Sequence, residues 1–224
     1  MTSALDYLLQ YRQVSWLLDA LISLDIATRL SATCCERLVE GQGVPVIFIL
    51  IKNCNRSLPS MQIIKYCVNI LLNLTKYSPT ADAVFETPDS ISTMLDLMQM
   101  YREKGAEIFS KVCMLMGTLC QDARRAKIVL SVPKFTERLS GINRLTERKY
   151  SMDAKRALAK SKGLNTSTMS CSFLNTSALN VSGMPTPRKV RRVQPDWVLG
   201  RGKMREITDP LAACHFVVHV LQLK

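Results

Sequence analysis

Apolar residues recur every three or four positions over most of the first 160 residues of the chain. This spacing places them on one face of an α-helix, as in an amphipathic helix with one buried side. The pattern predicts one or two helices over residues 5–22 and further helices over about 25–40, 44–54, 60–77, 80–86, 88–101 and 105–121. Glycine, proline and asparagine mark the breaks between them. The sequence therefore predicts an all-α protein.

The predicted helices repeat at a nearly constant interval. A shift of 45 residues places the apolar positions of the 60–77 helix on those of the 105–121 helix, as with Ile63 on Ile108, and a shift of 44 aligns Leu95 with Leu139. Helices that recur every 40–47 residues are typical of armadillo and HEAT repeats, whose units bury their apolar faces against one another. We therefore predict an armadillo- or HEAT-like solenoid of about three units over residues 1–162.

The pattern changes near Arg144. Residues 145–162 are predicted to form a basic helix with few apolar positions, and residues 163–194 to form a flexible linker, rich in Ser, Thr and Asn and then basic. Residues 195–224 contain a tryptophan segment followed by a helical pattern over about 209–223. We expect the apolar side of this last helix to fold back onto the solenoid as a cap.

Positive charge is concentrated in the second half of the chain. The net charge is +12, but residues 1–123 hold 10 Lys and Arg against 12 Asp and Glu, whereas residues 124–224 hold 20 against 6. Such asymmetry favours a polyanionic partner, which could be an acidic protein surface, nucleic acid or lipid headgroups, although a solvated basic face that only maintains solubility is the alternative. The candidate contacts for an acidic partner are Arg188, Lys189, Arg191, Arg192, Lys155 and Arg156.

The cysteines and histidines do not form a recognisable metal or disulfide pattern. The eight cysteines include no CxxC pair, and most stand among apolar residues, where a free thiol packs like a small hydrophobe. We expect a reducing, intracellular environment. His215 and His219 could share one helix face, but no carboxylate stands between them. We therefore predict neither a metal nor a cofactor, and a packing or surface role for both histidines.

Several function classes lack their usual signals. No signal peptide opens the sequence, and no apolar run reaches the roughly 18–20 residues that a membrane-spanning helix needs. No nucleophile elbow, phosphate-binding loop, dinucleotide fingerprint, zinc-protease or kinase motif occurs. The sequence is predicted to be neither an enzyme nor a membrane protein.

Two residues near the basic run are candidates for regulation and anchoring. Thr186-Pro187-Arg188-Lys189 fits the preference of proline-directed kinases, and a phosphate on Thr186 would add about −1.5 to −2 charge beside the basic run. So short a motif also arises by chance. Trp197 is expected to anchor the tail to the solenoid through its large apolar area, with a partner contact as the alternative.

Asn73 bears on a possible peptide-binding role. Armadillo solenoids bind extended peptides through asparagines on their long third helices, and Asn73 occupies such a position. The 45-residue shift places Thr118 at the equivalent site, so the sequence contains no asparagine ladder. We expect Asn73 to be buried and hydrogen-bonded within the fold.

Three stretches resemble the extreme carboxy terminus of the abnormal spindle family. They are Gly43–Tyr77, Asp96–Lys104 and Pro195–Leu223, the last through PDWVL, EITDPL and a terminal helix. The resemblance implies a fragment or short version of a much longer protein. The family's calponin-homology domains and calmodulin-binding IQ motifs are not visible here, so calmodulin binding is not carried over.

The resemblance also implies work at mitotic spindle poles, where microtubule minus ends are focused and held to the centrosome. We therefore predict a non-enzymatic spindle-pole scaffold in the cytoplasm and cytoskeleton, whose basic surface binds microtubules or acidic spindle-pole proteins. A nuclear location in interphase is an alternative. Nucleic-acid binding and peptide binding are the alternative functions, and the oligomeric state is left open.

Overall fold

The computed structural model describes the backbone of residues 4–164 and 207–222 and the side chains of 13–156 and 207–222. Within these ranges the chain forms ten helices and no strand. They are α1 (Ala4–Leu30), α2 (Ala32–Glu40), α3 (Gly43–Asn53), α4 (Leu58–Leu74), α5 (Ser78–Glu86), α6 (Ser90–Tyr101), α7 (Ala106–Leu119), α8 (Ala123–Ser131), α9 (Phe135–Leu164) and α10 (Pro210–Val220). The predicted all-α, helical-repeat class is confirmed, while the finer armadillo assignment stays a prediction.

The long helices stack side by side. α1 packs on α4, α4 on α7, and α7 on α10, while α3 and α6 each pack against the long helix that follows them. Asn73 on α4 donates to the hydroxyl of Thr28 on α1 at 3.2 Å, and the two residues are 45 positions apart. The interval found in the sequence is therefore also the spacing between neighbouring units in the fold.

A second repeated feature marks the start of α3, α6 and α9. Each helix directly follows a residue in the left-handed region: Gln42 with φ 57°, Asp89 with φ 60° and Lys134 with φ 61°. This conformation costs a non-glycine residue a small amount of free energy, and it turns the chain sharply between two helices. The three residues therefore occupy equivalent positions in three successive units.

Helix α8 lies where the sequence analysis placed no helix, and α1 and α9 have bounds other than those predicted. α1 runs without a break to Leu30, although a boundary was expected before Asp25. Asp25 does not end the helix because its carboxylate is buried and accepts hydrogen bonds within the fold. α9 begins at Phe135 and passes Arg144 without interruption, since Phe135, Leu139 and Ile142 pack inward as the second helix of the third unit.

The helix α10 completes this third unit from a distant part of the chain. It packs along α7 as α7 packs along α4, and therefore occupies the place of a third helix. Of the described residues, 4–149 and 207–222 belong to one compact body, and 150–164 belong to a second body. None of the described helices combines the length and apolar character that crossing a bilayer would require.

Candidate functional site

Two of the residues predicted to contact an acidic partner lie within the described ranges. Lys155 and Arg156 are exposed on the later part of α9, in the second compact body. The Arg156 guanidinium lies 3.9 Å from the Asp153 carboxylate. The other predicted positions lie outside the described residues: Arg188, Lys189, Arg191, Arg192, Thr186 and Trp197. Their roles stay predictions.

A groove lined by several cations lies between α6 and the first half of α9. It has a volume of about 570 Å³. Its walls hold four cations and one carboxylate, and its lining comprises Gln99, Arg102, Lys134, Glu137, Arg138, Gly141, Ile142, Arg144 and Leu145. We call it the basic groove.

Two of the four cations are held in place by carboxylates. The Arg138 guanidinium lies 2.6 Å from Asp96 on α6, and the Arg102 guanidinium lies 2.7 Å from Glu103. The hydrogen bond from Arg102 lowers the pKa of Glu103 below its ordinary value. Lys134 and Arg144 form no ion pair with any residue that the structure describes.

A second groove, of about 400 Å³, lies one unit earlier between α3 and α6. Its charged lining residues are Lys52, Asp89 and Asp96, and Lys52 lies 3.0 Å from the Asp89 carboxylate. We call it the acidic groove. A shift of 45 residues converts most of its lining into that of the basic groove, with Asp89 becoming Lys134.

The comparison of the two grooves separates what is shared from what changes. The apolar residues are kept, since Leu97 corresponds to Ile142 and Met100 to Leu145. The charge reverses, because the lining cations and carboxylates sum to −1 in the acidic groove and +3 in the basic groove. The repeat therefore fixes the shape of the site, and substitutions in the third unit make it basic.

Sequence reasoning missed the basic groove although its signal was present. Between the segments that form α6 and α9, only apolar positions were compared. A 45-residue shift applied to polar positions pairs Asp89 with Lys134 and Thr93 with Arg138. Such a comparison would have shown a cluster of new cations on equivalent positions of one helix.

Asn73 has the buried, structural role that the sequence predicted. Its amide donates to the carboxylate of Asp25 at 2.9 Å, to the Asp25 carbonyl at 3.2 Å and to the Thr28 hydroxyl. The other carboxylate oxygen of Asp25 accepts from Arg29 at 2.6 Å and Asn69 at 3.3 Å. These bonds join α1 to α4 and direct the amide N–H groups of Asn73 into the fold.

Ion pairs join neighbouring units at several places. Glu107 on α7 lies 2.9 Å from Lys65 on α4 and 3.0 Å from Lys111. Burial by itself would raise the pKa of Glu107, but hydrogen bonds from the two lysines lower it below its ordinary value. Arg125 on α8 lies 2.8 Å from Asp82 on α5. These contacts join successive repeats alongside the packing of their apolar faces.

The packing of α10 depends on a close approach to α7. A methyl group at Gly117 would overlap the ring of Phe216, so the ring packs against bare backbone. Ser110 donates to the Thr208 carbonyl at 3.2 Å, and the His215 ring lies 3.0 Å from the Glu147 carboxylate. Phe216 thus anchors α10 on α7. The anchoring role of Trp197 lies outside the described residues and stays a prediction.

The cysteines that the structure describes are free thiols, most of them packed in the core. Burial raises the pKa of Cys67 and of Cys120 to about 12, which keeps both in the neutral thiol form. Cys113 on α7 contacts Cys214 on α10, and burial raises the pKa of Cys113 well above its ordinary value. No group of three or more potential metal ligands occurs among the described residues.

Comparison with known proteins gives a consistent set of relatives. The abnormal spindle-like microcephaly-associated protein homolog of Canis lupus familiaris is 42% identical over 226 aligned residues, and that of Macaca mulatta is 40% identical. The abnormal spindle-like microcephaly-associated protein of Homo sapiens is 39% identical. In each case the match covers 97% of this chain and 6% of the relative. No protein-family model matches the chain, and no solved structure matches it.

Proposed function

Because the chain belongs to the family of abnormal spindle-like microcephaly-associated proteins, we propose that it is a non-enzymatic spindle-pole module that contributes to microtubule organisation. It spans about 6% of the length of the curated relatives. Its place of action would be the cytoskeleton at the spindle pole and centrosome. Its partner would be the microtubule surface or an acidic protein of the pole.

The basic groove is the observation that supports a charge-based mechanism. The charges of its lining residues sum to +3, against −1 for the lining of the acidic groove. Counting the carboxylates of Asp96 and Glu103, which pair with its two outer arginines, leaves the basic groove with +1. Lys134 and Arg144 form no ion pair within 4 Å with any of the described residues, although Glu137 lines the same groove. A surface of this kind attracts acidic protein segments and accelerates their association, with a strong dependence on salt.

Co-sedimentation with microtubules tests the proposal directly. We expect the double substitution Lys134→Glu with Arg144→Glu to reduce the bound fraction, and the triple substitution Lys189→Glu, Arg191→Glu and Arg192→Glu to reduce it separately. Raised salt should weaken binding of the unaltered chain, since exposed charges are screened over roughly 8–10 Å.

A matched control uses cations of the first two units. Arg56→Glu with Lys76→Glu changes the net charge by the same amount at exposed positions away from the basic groove. We expect this variant to sediment with microtubules like the unaltered chain. Equal losses in the control and in the groove variant would mean that overall charge, and not the groove, governs binding.

We also propose that phosphorylation of Thr186 weakens the interaction. The residue lies two positions before the basic run that starts at Arg188, so a phosphate would offset part of its charge. Thr186→Glu should lower the sedimented fraction, and Thr186→Ala should leave it unchanged. A decrease in the alanine variant would instead assign the hydroxyl itself a role in binding.

A further inference from the structure

We propose that the basic groove is a specific docking site for an acidic protein segment that carries an apolar side chain beside its carboxylates. The inference rests on the proposed function only in assigning such a segment to a spindle partner. The site itself is defined by residues of α6 and α9 and by the Lys134 turn between α8 and α9.

The floor of the groove supplies the apolar part of the site. Ile142 is buried at its base, whereas 43% of the Leu145 side chain is exposed beside it. Gly141 opens the space between the walls, because a methyl group at that position would meet no other atom within 4 Å. An apolar side chain could therefore enter the groove at Gly141 and bury part of Leu145.

The walls supply cations of two kinds. The Arg138 and Arg102 guanidinium groups are positioned by Asp96 and Glu103, and each retains further N–H donors beyond those bonds. Lys134 and Arg144 are unpaired among the described residues and can pair with carboxylates of a ligand. Positioned cations beside an apolar floor require a ligand that combines both chemistries.

A protein segment fits the groove better than nucleic acid does. No aromatic side chain lines the groove on which a base could stack, and the apolar floor offers nothing to a phosphate backbone. Glu137 in the wall would repel a uniform polyanion but would tolerate carboxylates spaced along a peptide. The donors of Asn73 are engaged within the fold, so the site also differs from a ladder of asparagines on the third helices.

The test measures the binding of labelled peptides by fluorescence polarisation at low and moderate salt. The probe is a synthetic Glu-Glu-Leu-Glu-Glu peptide, compared with the same peptide containing Ser in place of Leu and with a Gln-Gln-Leu-Gln-Gln peptide. We expect the first to bind most tightly. Lys134→Gln with Arg144→Gln should weaken its binding at least about fivefold, the range of two partly exposed ion pairs.

Matched controls separate the groove from general charge and general hydrophobicity. Lys127→Gln with Arg148→Gln removes two exposed cations outside the groove and should leave binding unchanged. Leu145→Ser should weaken binding about threefold through lost apolar burial. Ile128→Ser is the matched control, because Ile128 is 44% exposed, as Leu145 is 43% exposed, but lies outside the groove. We expect this variant to bind the peptide like the unaltered chain.

A blocking variant tests the groove without any change of charge. Gly141→Phe would fill the space on the groove floor, and we expect it to weaken peptide binding at least about fivefold while the thermal melt shows an intact fold. Tight binding by this variant would overturn the proposal. Equal losses in the Lys134/Arg144 and Lys127/Arg148 variants would overturn it too, as would equal affinity for the Leu and Ser peptides. The same holds if the chain binds no peptide measurably, or binds single-stranded DNA as tightly as the peptide.

The outcomes distinguish the groove from the proposed function. If the peptide binds as expected but the chain does not sediment with microtubules, the docking site stands and the microtubule role fails. If Gly141→Phe binds both the Glu-Glu-Leu-Glu-Glu peptide and microtubules like the unaltered chain, the docking site fails and the microtubule role stands.

Discussion

At the scale of single residues, the buried Asp25 carboxylate is the polar group on which the contact between α1 and α4 depends most. It accepts from Asn73 at 2.9 Å on one oxygen and from Arg29 and Asn69 on the other. Asn73→Ala leaves one buried oxygen without this partner, and we expect a loss of about 1–3 kcal/mol in the free energy of unfolding. Urea denaturation measures it.

Asn69→Ala is the internal control for that measurement. Its amide lies 3.3 Å from the oxygen that Arg29 already binds at 2.6 Å, so its removal leaves that oxygen paired. We expect a clearly smaller loss than for Asn73→Ala. Equal losses would mean that burial of the amide, and not the bond to Asp25, is what stabilises this contact.

Two helical glycines give opposite predictions for the same substitution. Gly117→Ala places a methyl group against the Phe216 ring, so we expect α10 to shift and the free energy of unfolding to fall by about 1–3 kcal/mol. Gly141→Ala adds a methyl group in open space within α9 and should raise it by about 0.5–1 kcal/mol. Thermal and urea melts of both variants check the pair, and a gain for Gly117→Ala would show that Phe216 can move freely.

At the scale of helices, Arg125 connects three elements. Its Nε donates to the Leu119 carbonyl at the end of α7 at 2.9 Å, and its Nη1 donates to Asp82 on α5 at 2.8 Å. A lysine lacks the planar pair of donors that satisfies both acceptors. We therefore expect Arg125→Lys to destabilise the fold by about 1.5–3 kcal/mol, the range of hydrogen bonds to charged groups.

The neighbouring Arg124 provides the comparison for this prediction. Its side chain is 75% exposed and lies 3.9 Å from Glu86, whereas the Arg125 side chain is 12% exposed. Arg124→Lys should change the unfolding midpoint very little, because exposed pairs contribute little to stability. A similar loss in both variants would contradict the special position of Arg125.

The helices also show which features the sequence could predict. Helical periodicity located most of the segments from α3 to α7, because each has an apolar stripe bounded by turn residues. It placed a false break before Asp25, since a buried, hydrogen-bonded carboxylate looks like a polar boundary. It could not assign α10 to the third unit, because a fixed interval cannot find a helix supplied from residues 210–220.

The sequence contains the cations of the basic groove but does not show that they share one cavity. Arg102 and Arg138 come from separate helices, and only the stacking of α6 and α9 brings them to one cavity. The excess of positive charge after residue 123 was evident, but its division between a groove and a solvated surface was not. Composition predicted a polyanionic partner, and the packing of the helices shows where part of the positive charge lies.

At the scale of the whole molecule, the pairing of Glu107 with Lys65 and Lys111 makes the contact between α4 and α7 sensitive to acid. The folded state lowers the pKa of Glu107, so the pair stabilises the protein when the pH is above the ordinary value of 4.5. This contribution is lost as the pH falls through the lowered folded-state pKa. It should be under about 1 kcal/mol, because the Glu107 side chain is 55% exposed and screened by solvent.

Glu107→Gln isolates this contribution. At pH 7 we expect the variant to be slightly less stable than the unaltered chain, because the two lysines lose their carboxylate partner. Below the folded-state pKa of Glu107 the difference should vanish, since the unaltered chain then carries a neutral carboxyl group at the same place. Urea midpoints of both chains across the acid range measure the difference, and one that stays constant with pH would locate the effect in packing and not in charge.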